Sequence, residues 1–294
     1  MSKSLPDFTR YKRVLPEPSV GFSTKEGRTL FKKALQDGTM ECYFPLAEQF
    51  TTQAEPAYCG LSTLVMVLNA LAVDPRRRWK GIWRWYDENL LDCCVPLEIV
   101  QSQGVVMKEW ACLARCQGLE VEEHSYDALS LEDFRAMLLE HCSRDGSFLV
   151  ATYSRKELNQ IGDGHFSPIA GYHAESDMVL ILDVARFKYP PHWVPASVLH
   201  AAMAHRDKTT GNPRGLLVVR PSLPPSVLLT CGSPRRCGAP CSRCRCRRRC
   251  SSSRCAAAAA SSPARAAPRP SRSRGPSCCG RCAGSPFSGS CPSF

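Results

Sequence analysis

At 294 residues the chain is long enough for one large domain or two, with ample length for a buried core. Its formal charge of +11 is unevenly placed: residues 221–294 hold thirteen arginines and no acidic residue, so removing their +13 leaves about −2 for residues 1–220. The body therefore shows no net basic field, so a charge-based claim of nucleic-acid or acidic partners is a claim about the tail.

The cysteines divide in the same way, seven before residue 221 and eleven after it. No apolar h-region follows the charged N-terminus MSKSLPDFTRYKRVLPEPSV, so no secretory signal is expected. The apolar run 61–73 is short and interrupted by Thr63 and Asn69, so no bilayer span is expected either. The expected compartment is a reducing cytoplasm, where clustered cysteines act as thiolates for chemistry or metal rather than as disulfides.

In chain order, residues 10–44 read as a mostly extended arm that includes a short helix over 24–36, closed by Gly38. The stretch QAEPAYCGLSTLVMVLNALA, over 53–72, is the helix that organises the chain. Pro56 suits a helix start, and Leu61, Leu64, Val65, Leu68 and Leu71 recur at three- and four-residue spacing, which predicts one apolar stripe facing a core. Cys59 then falls in the first turn, where unsatisfied amides and the positive end of the helix dipole favour a thiolate. Asp74 and Pro75 end the pattern. The following RRRWKGIWRWYDENLLDCC sets Trp79, Trp83 and Trp85 among basic residues. Such interleaving can bind single-stranded nucleic acid. The preferred reading is that the tryptophans anchor a loop in the core while the arginines stay solvated.

Residues 96–103 and 108–117 read as two helices, the second carrying Cys112 and Cys116 one turn apart on one face. With Cys93 and Cys94 they make four thiols within 24 residues. The spacing departs from the paired C-x-x-C of a zinc finger, so core packing and binding of a thiophilic ion such as zinc or copper(I) both stay open. A further amphipathic helix spans 131–142, opened by Glu132 and Asp133. From there the period changes: 148–153 (FLVATY), 166–172 and 178–184 (MVLILDV) read as strands, the last two joined by a turn at 174–177, with 215–220 (GLLVVR) closing the set. Helices first and strands afterwards predict an α+β domain over 1–220 rather than alternating βαβ units. Residues 221–294, rich in Arg, Cys, Ser and Pro and without hydrophobic periodicity, are expected to be disordered in isolation.

Two later segments offer partners for Cys59. His165 lies in GDGHFSPIAGYH at the start of a strand, and Asp183 ends the next strand, so a hairpin can set carboxylate beside imidazole and fix its tautomer. Cysteine on an early helix, then histidine, then a carboxylate on a sheet is the order of papain-like enzymes, although the C-G-[SA]-C-[WY] signature is absent. Gln53, six residues before Cys59, can offer a side-chain N–H to an oxyanion formed there. One such donor is worth about 3–4 kcal/mol in a transition state.

Taken together, TQAEPAYCGLSTLVMVLNALAVDP, WKGIWRWYDENLLDCC, CLARC, GHFSPIAGYH and LILDVARFKYPPHWVP resemble the catalytic domain of the phytochelatin synthase family, over about residues 12–220. The resemblance implies a papain-like cysteine-protease fold, with the nucleophile helix packed on an antiparallel sheet. It implies Cys59 as nucleophile, His165 as general base and then acid, Asp183 as orienting carboxylate and Gln53 in the oxyanion hole. The family's chemistry is attack on the Cys–Gly amide of glutathione, release of glycine and formation of a γ-Glu-Cys thioester, which the amine of a second glutathione or a growing chain then takes. Arg186, Tyr189 and Glu55 are implied as contacts of the first glutathione, Arg155 and Lys188 as contacts of the acceptor. For each of these the bland alternative is a solvated loop charge.

Cys93, Cys94, Cys112 and Cys116 match family cysteines linked to metal response. No organic cofactor is implied. Heavy-metal ions (cadmium, zinc, copper) act as activator or as part of a metal–glutathione thiolate substrate. The implied partners are glutathione and metal–glutathione complexes, with no membrane, nucleic acid only through the basic tail, and a homodimer left open. The tail departs from the family, whose plant members continue into a longer domain with adjacent cysteine pairs. Cys278, Cys279 and the cysteines between 237 and 255 can be read as a soft-metal site, the arginines as an RNA-binding or anionic-surface segment. The preferred reading is a retained intron or shifted frame. Two other functions remain beside the synthase: a peptidase that only removes glycine, and a non-catalytic metal- or RNA-binding protein built around the tail.

Overall fold

The computed structural model of the chain describes residues 13–208 and 210–222. Its elements run β1 (Val20–Gly21), α1 (Lys25–Gln36), α2 (Tyr43–Glu48), α3 (Cys59–Ala70), α4 (Leu97–Gln103), α5 (Met107–Cys116), β2 (Leu119–Ser125), α6 (Leu131–Cys142), β3 (Phe148–Ser154), β4 (Gly164–His173), β5 (Met178–Ile181), β6 (His192–Pro195), α7 (Ala196–Met203) and β7 (Gly215–Pro221). Local chemistry sets several of these ends. The Thr24 hydroxyl accepts the Gly27 N–H to start α1, and Ser130 accepts the Asp133 N–H to start α6. Gly38, at φ +72°, lets the chain leave α1 in a left-handed conformation.

The seven strands form one sheet in the order β1-β6-β5-β4-β3-β7-β2, and every neighbouring pair is antiparallel. This is the α+β class expected from the chain order of helices and strands. All seven residues of β3 and all of β4 after Gly164 are buried, so both faces of the sheet's centre are covered. Helices α1, α2, α3 and α6 pack against β4, α7 against β3 and α5 against β2.

Three details differ from the sequence reading. Helix α3 is buried without a break from Gly60 to Leu68, so it is a central helix rather than a one-striped one. Each buried leucine or valine there contributes about 1.5–3 kcal/mol, and Thr63 is accommodated because its hydroxyl donates to the Phe166 carbonyl at 3.3 Å. Pro56 stands in the turn before α3 rather than inside it, so Cys59 is the first helical residue. Strands β2 and β6 and helices α2 and α7 were not foreseen. β2 shows polar positions outward, where Glu120 and Glu122 bind Arg220 of β7, and that charge masks its strand period.

The tryptophan segment is the clearest correction. Trp79, Trp83 and Trp85 are 37%, 69% and 43% exposed and Ile82 is 77% exposed, so they do not anchor the core. The segment satisfies itself: Trp79 and Trp83 exchange backbone bonds with Trp83 and Lys80 around Gly81 at φ +55°, and the Trp79 indole donates to Asp87 at 2.6 Å. The tryptophans buried in the core are Trp110 and Trp193. No helix among the described residues is long and apolar enough to cross a membrane. The expected boundary at residue 220 falls at the end of β7, and the expected tail from residue 223 onward, with its cysteines, lies outside the described residues.

Candidate active site

Three elements bring the site together. Cys59 opens α3, and His165 is the second residue of β4, where the register sets it opposite Tyr153 of β3. Asp183 lies two residues beyond β5, shorter than the strand expected over 178–184. The Leu182 N–H still donates to the Pro168 carbonyl, and this carries Asp183 back along β4 towards His165. His165 Nε2 is 2.8 Å from Asp183 Oδ1, which also accepts the Ala185 N–H at 2.8 Å. Because the carboxylate accepts at Nε2, the ring's other nitrogen is left to exchange a proton with Cys59.

A fourth group, Arg155, completes the cluster. Its guanidinium donates to Asp183 Oδ2 at 2.6 Å and to Gln160 Oε1 at 2.5 Å, and its Nη2 lies 2.9 Å from His165 Nε2. Burial disfavours charge on all of these groups, yet their mutual fields win. Burial pushes the Cys59 thiol up, but the charge and hydrogen bond of His165, the Phe166 backbone and the Arg155 charge outweigh it and hold the thiol below its ordinary value. Burial and Arg155 oppose charge on His165, and Asp183 and Cys59 raise it above its ordinary value all the same. Asp183 is held well below the carboxylate range, against burial, by His165 and Arg155. With the thiol shifted down and the imidazole up, the pair is drawn towards thiolate and imidazolium.

Close packing fixes the two backbones that carry this pair. A Cβ on Gly60 would stand 2.4 Å from Val105 Cγ2, so the loop after α4 can lie against the start of α3 only over glycine. Trp110 then donates its indole N–H to the Gly60 carbonyl at 2.9 Å and stacks on Phe166 with ring centroids 6.3 Å apart. It thus clamps the chain neighbours of both Cys59 and His165. No local signal in the sequence distinguishes Trp110 from an ordinary core residue.

A cleft of about 620 Å³ opens over the cluster, lined among others by Gln53, Cys59, Lys108, Arg155, His165 and Lys188. The predicted binding residues divide around it. Lys188 is half-buried in the wall, and burial followed by Arg155 lowers its pKa. Arg155 also lines the cleft, and at 2% exposure, tied to Asp183 and Gln160, it is not the solvated loop charge of the bland alternative. Tyr189 is buried, its ring 5.4 Å from the Arg155 guanidinium and its hydroxyl accepting the Ile161 N–H. Arg186 is exposed over the Phe50 ring at 4.8 Å, and Glu55 is half-buried; neither lines the cleft. Gln53 does line it, but both amide hydrogens are committed to the Glu55 and Pro56 carbonyls, each at 2.8 Å, while its Oε1 is buried without a partner. The turn before α3 presents these two carbonyls to the amide.

A second set of thiols forms elsewhere. Cys94 Sγ lies 2.8 Å from Cys112 Sγ, 3.4 Å from Cys116 Sγ and 3.8 Å from Cys93 Sγ. The ligand atoms of Cys93, Cys94 and Cys116 all fall within 4.8 Å of one another. Sulfurs bound to one tetrahedral zinc at about 2.3 Å stand about 3.8 Å apart, so Cys93, Cys94 and Cys116 can share a soft ion, while Cys112, 2.8 Å from Cys94, falls outside that group. Hydrogen bonds from Cys116 and Cys93, then burial, raise the Cys94 thiol. None of the seven cysteines among the described residues is in a disulfide.

A family model described as phytochelatin synthase matches residues 10–216. The chain is 51% identical over 222 residues to a glutathione gamma-glutamylcysteinyltransferase of Lotus japonicus, covering 75% of this chain and 46% of that one. It is 54% identical over 226 residues to an enzyme of the same name from Triticum aestivum, covering 76% and 45%. The chain thus spans about half the length of the curated relatives it matches. Among solved structures, the peptidase domain of Streptococcus ComA, a bi-functional ABC transporter, aligns at 14% identity with a TM-score of 0.36, covering 58% of this chain and 96% of that one.

Proposed function

The chain belongs to the phytochelatin synthase family, and we propose that it makes phytochelatins from glutathione through a thioester on Cys59, on a papain-like fold. The observation that carries this is the Cys59 thiol drawn below its ordinary value by His165, whose Nε2 is fixed on Asp183. The curated relatives named for the same transfer support the choice of substrate.

In this reaction His165 takes the thiol proton and the thiolate attacks the carbonyl carbon of the Cys–Gly amide. Backbone amides in the first turn of α3 face the oxyanion, joined by Gln53 once its amide leaves the Glu55 and Pro56 carbonyls. His165 gives its proton to the departing glycine nitrogen, the C–N bond breaks and γ-Glu-Cys remains as a thioester. The amine of a second glutathione or of a (γ-Glu-Cys)n-Gly chain attacks that carbon, its proton passes to His165 and the thiolate leaves. Transfer exceeds hydrolysis when the amine is held against the thioester, where effective molarities reach about 10⁵ M or more. Lys188 in the cleft wall and Arg186 and Glu55 outside it are the charges assigned to the substrate's carboxylates and ammonium.

Cadmium, zinc and copper enter as glutathione thiolate complexes, the form of acceptor whose sulfur is already blocked. Cys93, Cys94, Cys112 and Cys116 would hold such an ion as activator, supplying a positive charge that replaces the thiol protons. A reducing cytoplasm is the compartment this chemistry requires, since both groups of thiols must stay reduced.

Incubating the full chain with glutathione and cadmium tests the proposal. Appearance of (γ-Glu-Cys)2-Gly in the native protein and its loss in Cys59→Ser is the expected result, read by mass spectrometry. Free γ-Glu-Cys with no longer product would replace transferase by peptidase, and no glycine release at all would overturn the assignment.

A further inference from the structure

Gln160 and His192 are both buried, and no step above uses them. Their hydrogen bonds can be assigned without ambiguity from Arg155 outward. A guanidinium only donates, so the atom of Gln160 that meets Arg155 Nη1 at 2.5 Å must be its carbonyl oxygen. The Gln160 amide nitrogen then faces His192 Nε2 at 2.9 Å, and that nitrogen must accept. The ring proton is therefore on Nδ1, which donates to the Pro190 carbonyl at 2.8 Å. Donation runs in one direction from Arg155 to Pro190, while the other end of the guanidinium donates to Asp183 Oδ2. Burial first, and then the charges of Arg155 and His165, hold His192 at about 4 against the pull of Asp183, so it stays neutral and able to accept.

From this geometry we propose that Gln160 and His192 are positioning residues for the reacting pair: they aim Arg155 at Asp183 Oδ2, which keeps Oδ1 for His165 Nε2 and holds the guanidinium beside imidazole and thiol. The inference deepens the proposed reaction and rests on Cys59 being its nucleophile. Its consequence is electrostatic. The Arg155 charge favours the Cys59 thiolate and opposes the His165 imidazolium. Released from Gln160, it would leave both groups titrating at higher pH. Tyr153 and Lys188 also share the charges of Arg155, Asp183 and Cys59, and His192 acts on Asp183.

The test reads Cys59 directly and needs no transfer product. The rate of Cys59 alkylation by iodoacetamide is followed against pH on the full chain, by mass spectrometry of the Cys59 peptide. Gln160→Leu and His192→Leu are each expected to move both limbs of the profile upward by about half a unit or more, about a threefold loss of rate on the acid side. His192→Gln, whose Oε1 can stand where Nε2 accepts, restores the native profile. A merely structural role would lower yield or stability and leave the limbs in place, and limbs unmoved in folded leucine variants overturn the proposal. The native protein supplies a second measurement that does not depend on variants folding. Its His192 ring nitrogens, followed by NMR, are expected to report the neutral Nδ1–H tautomer from about pH 6 to 8, and the Nε2–H tautomer or an imidazolium in that range overturns it. A glutathione assay run in parallel separates the two readings: shifted limbs in a protein that forms no phytochelatin would sink the transferase reaction and leave the positioning role standing.

Discussion

Cys59 and Cys94 are the same side chain in opposite surroundings. Cys59 stands against an imidazole and a guanidinium, and its thiol is lowered although burial opposes the charge. Cys94 stands against three other sulfurs, and its thiol is raised. A thiol beside fixed cations is already a nucleophile. Thiols that face one another keep their protons until a cation displaces them. The difference lies in the neighbours and not in the cysteine.

The largest test of that contrast is removal of the sulfur itself. Cys59→Ser or His165→Ala should lower glycine release from glutathione by about 10³-fold or more, whereas Cys94→Ser should leave the metal-independent rate within about threefold. A large loss in Cys94→Ser would join the two groups into one site. Asp183→Asn comes next, because it leaves Arg155 buried without its carboxylate. Stability at pH 7 should fall by about 3–5 kcal/mol, measured by urea denaturation. Since the folded Asp183 pKa is depressed, its contribution is complete above the ordinary carboxylate value. The native protein's advantage over the variant should shrink only as pH falls below about 4.

A third test compares the thiols directly. At pH 7 Cys59 should react with iodoacetamide about tenfold or more faster than Cys94. One equivalent of cadmium should produce a thiolate charge-transfer band in the ultraviolet that Cys94→Ser removes; an unchanged band would place the ion elsewhere. The smallest effect is expected in the segment leading into the thiol cluster. Trp83→Ala should change stability by no more than about 0.5 kcal/mol in a thermal melt, since the ring is solvent-facing; a loss of several kcal/mol would restore a core role.

Helix α6 was legible to the residue, because Glu132 and Asp133 mark its start and its apolar period is unbroken. Strands β3, β4 and β7 were legible within one or two residues for the same local reason. β6 and α2 were not, being four and six residues long and each containing a proline. The order cysteine, histidine, aspartate was legible, and the geometry brings His165 and Asp183 to 2.8 Å. Gln160, His192 and Trp110 were not, since nothing in their own neighbourhoods marks them out from packing residues.

What the sequence determined by itself is therefore periodic and local: which stretches coil, which extend, and that one cysteine begins a helix. The fate of each polar hydrogen was decided only by the tertiary structure. Arg155 turned inward to Asp183, the Gln53 amide closed on two carbonyls, and three tryptophans stayed in solvent. A side chain's partner is chosen by what else lies within about 3 Å in the folded state. For Arg155 and Asp183 that partner is 28 residues away, beyond the reach of any local pattern.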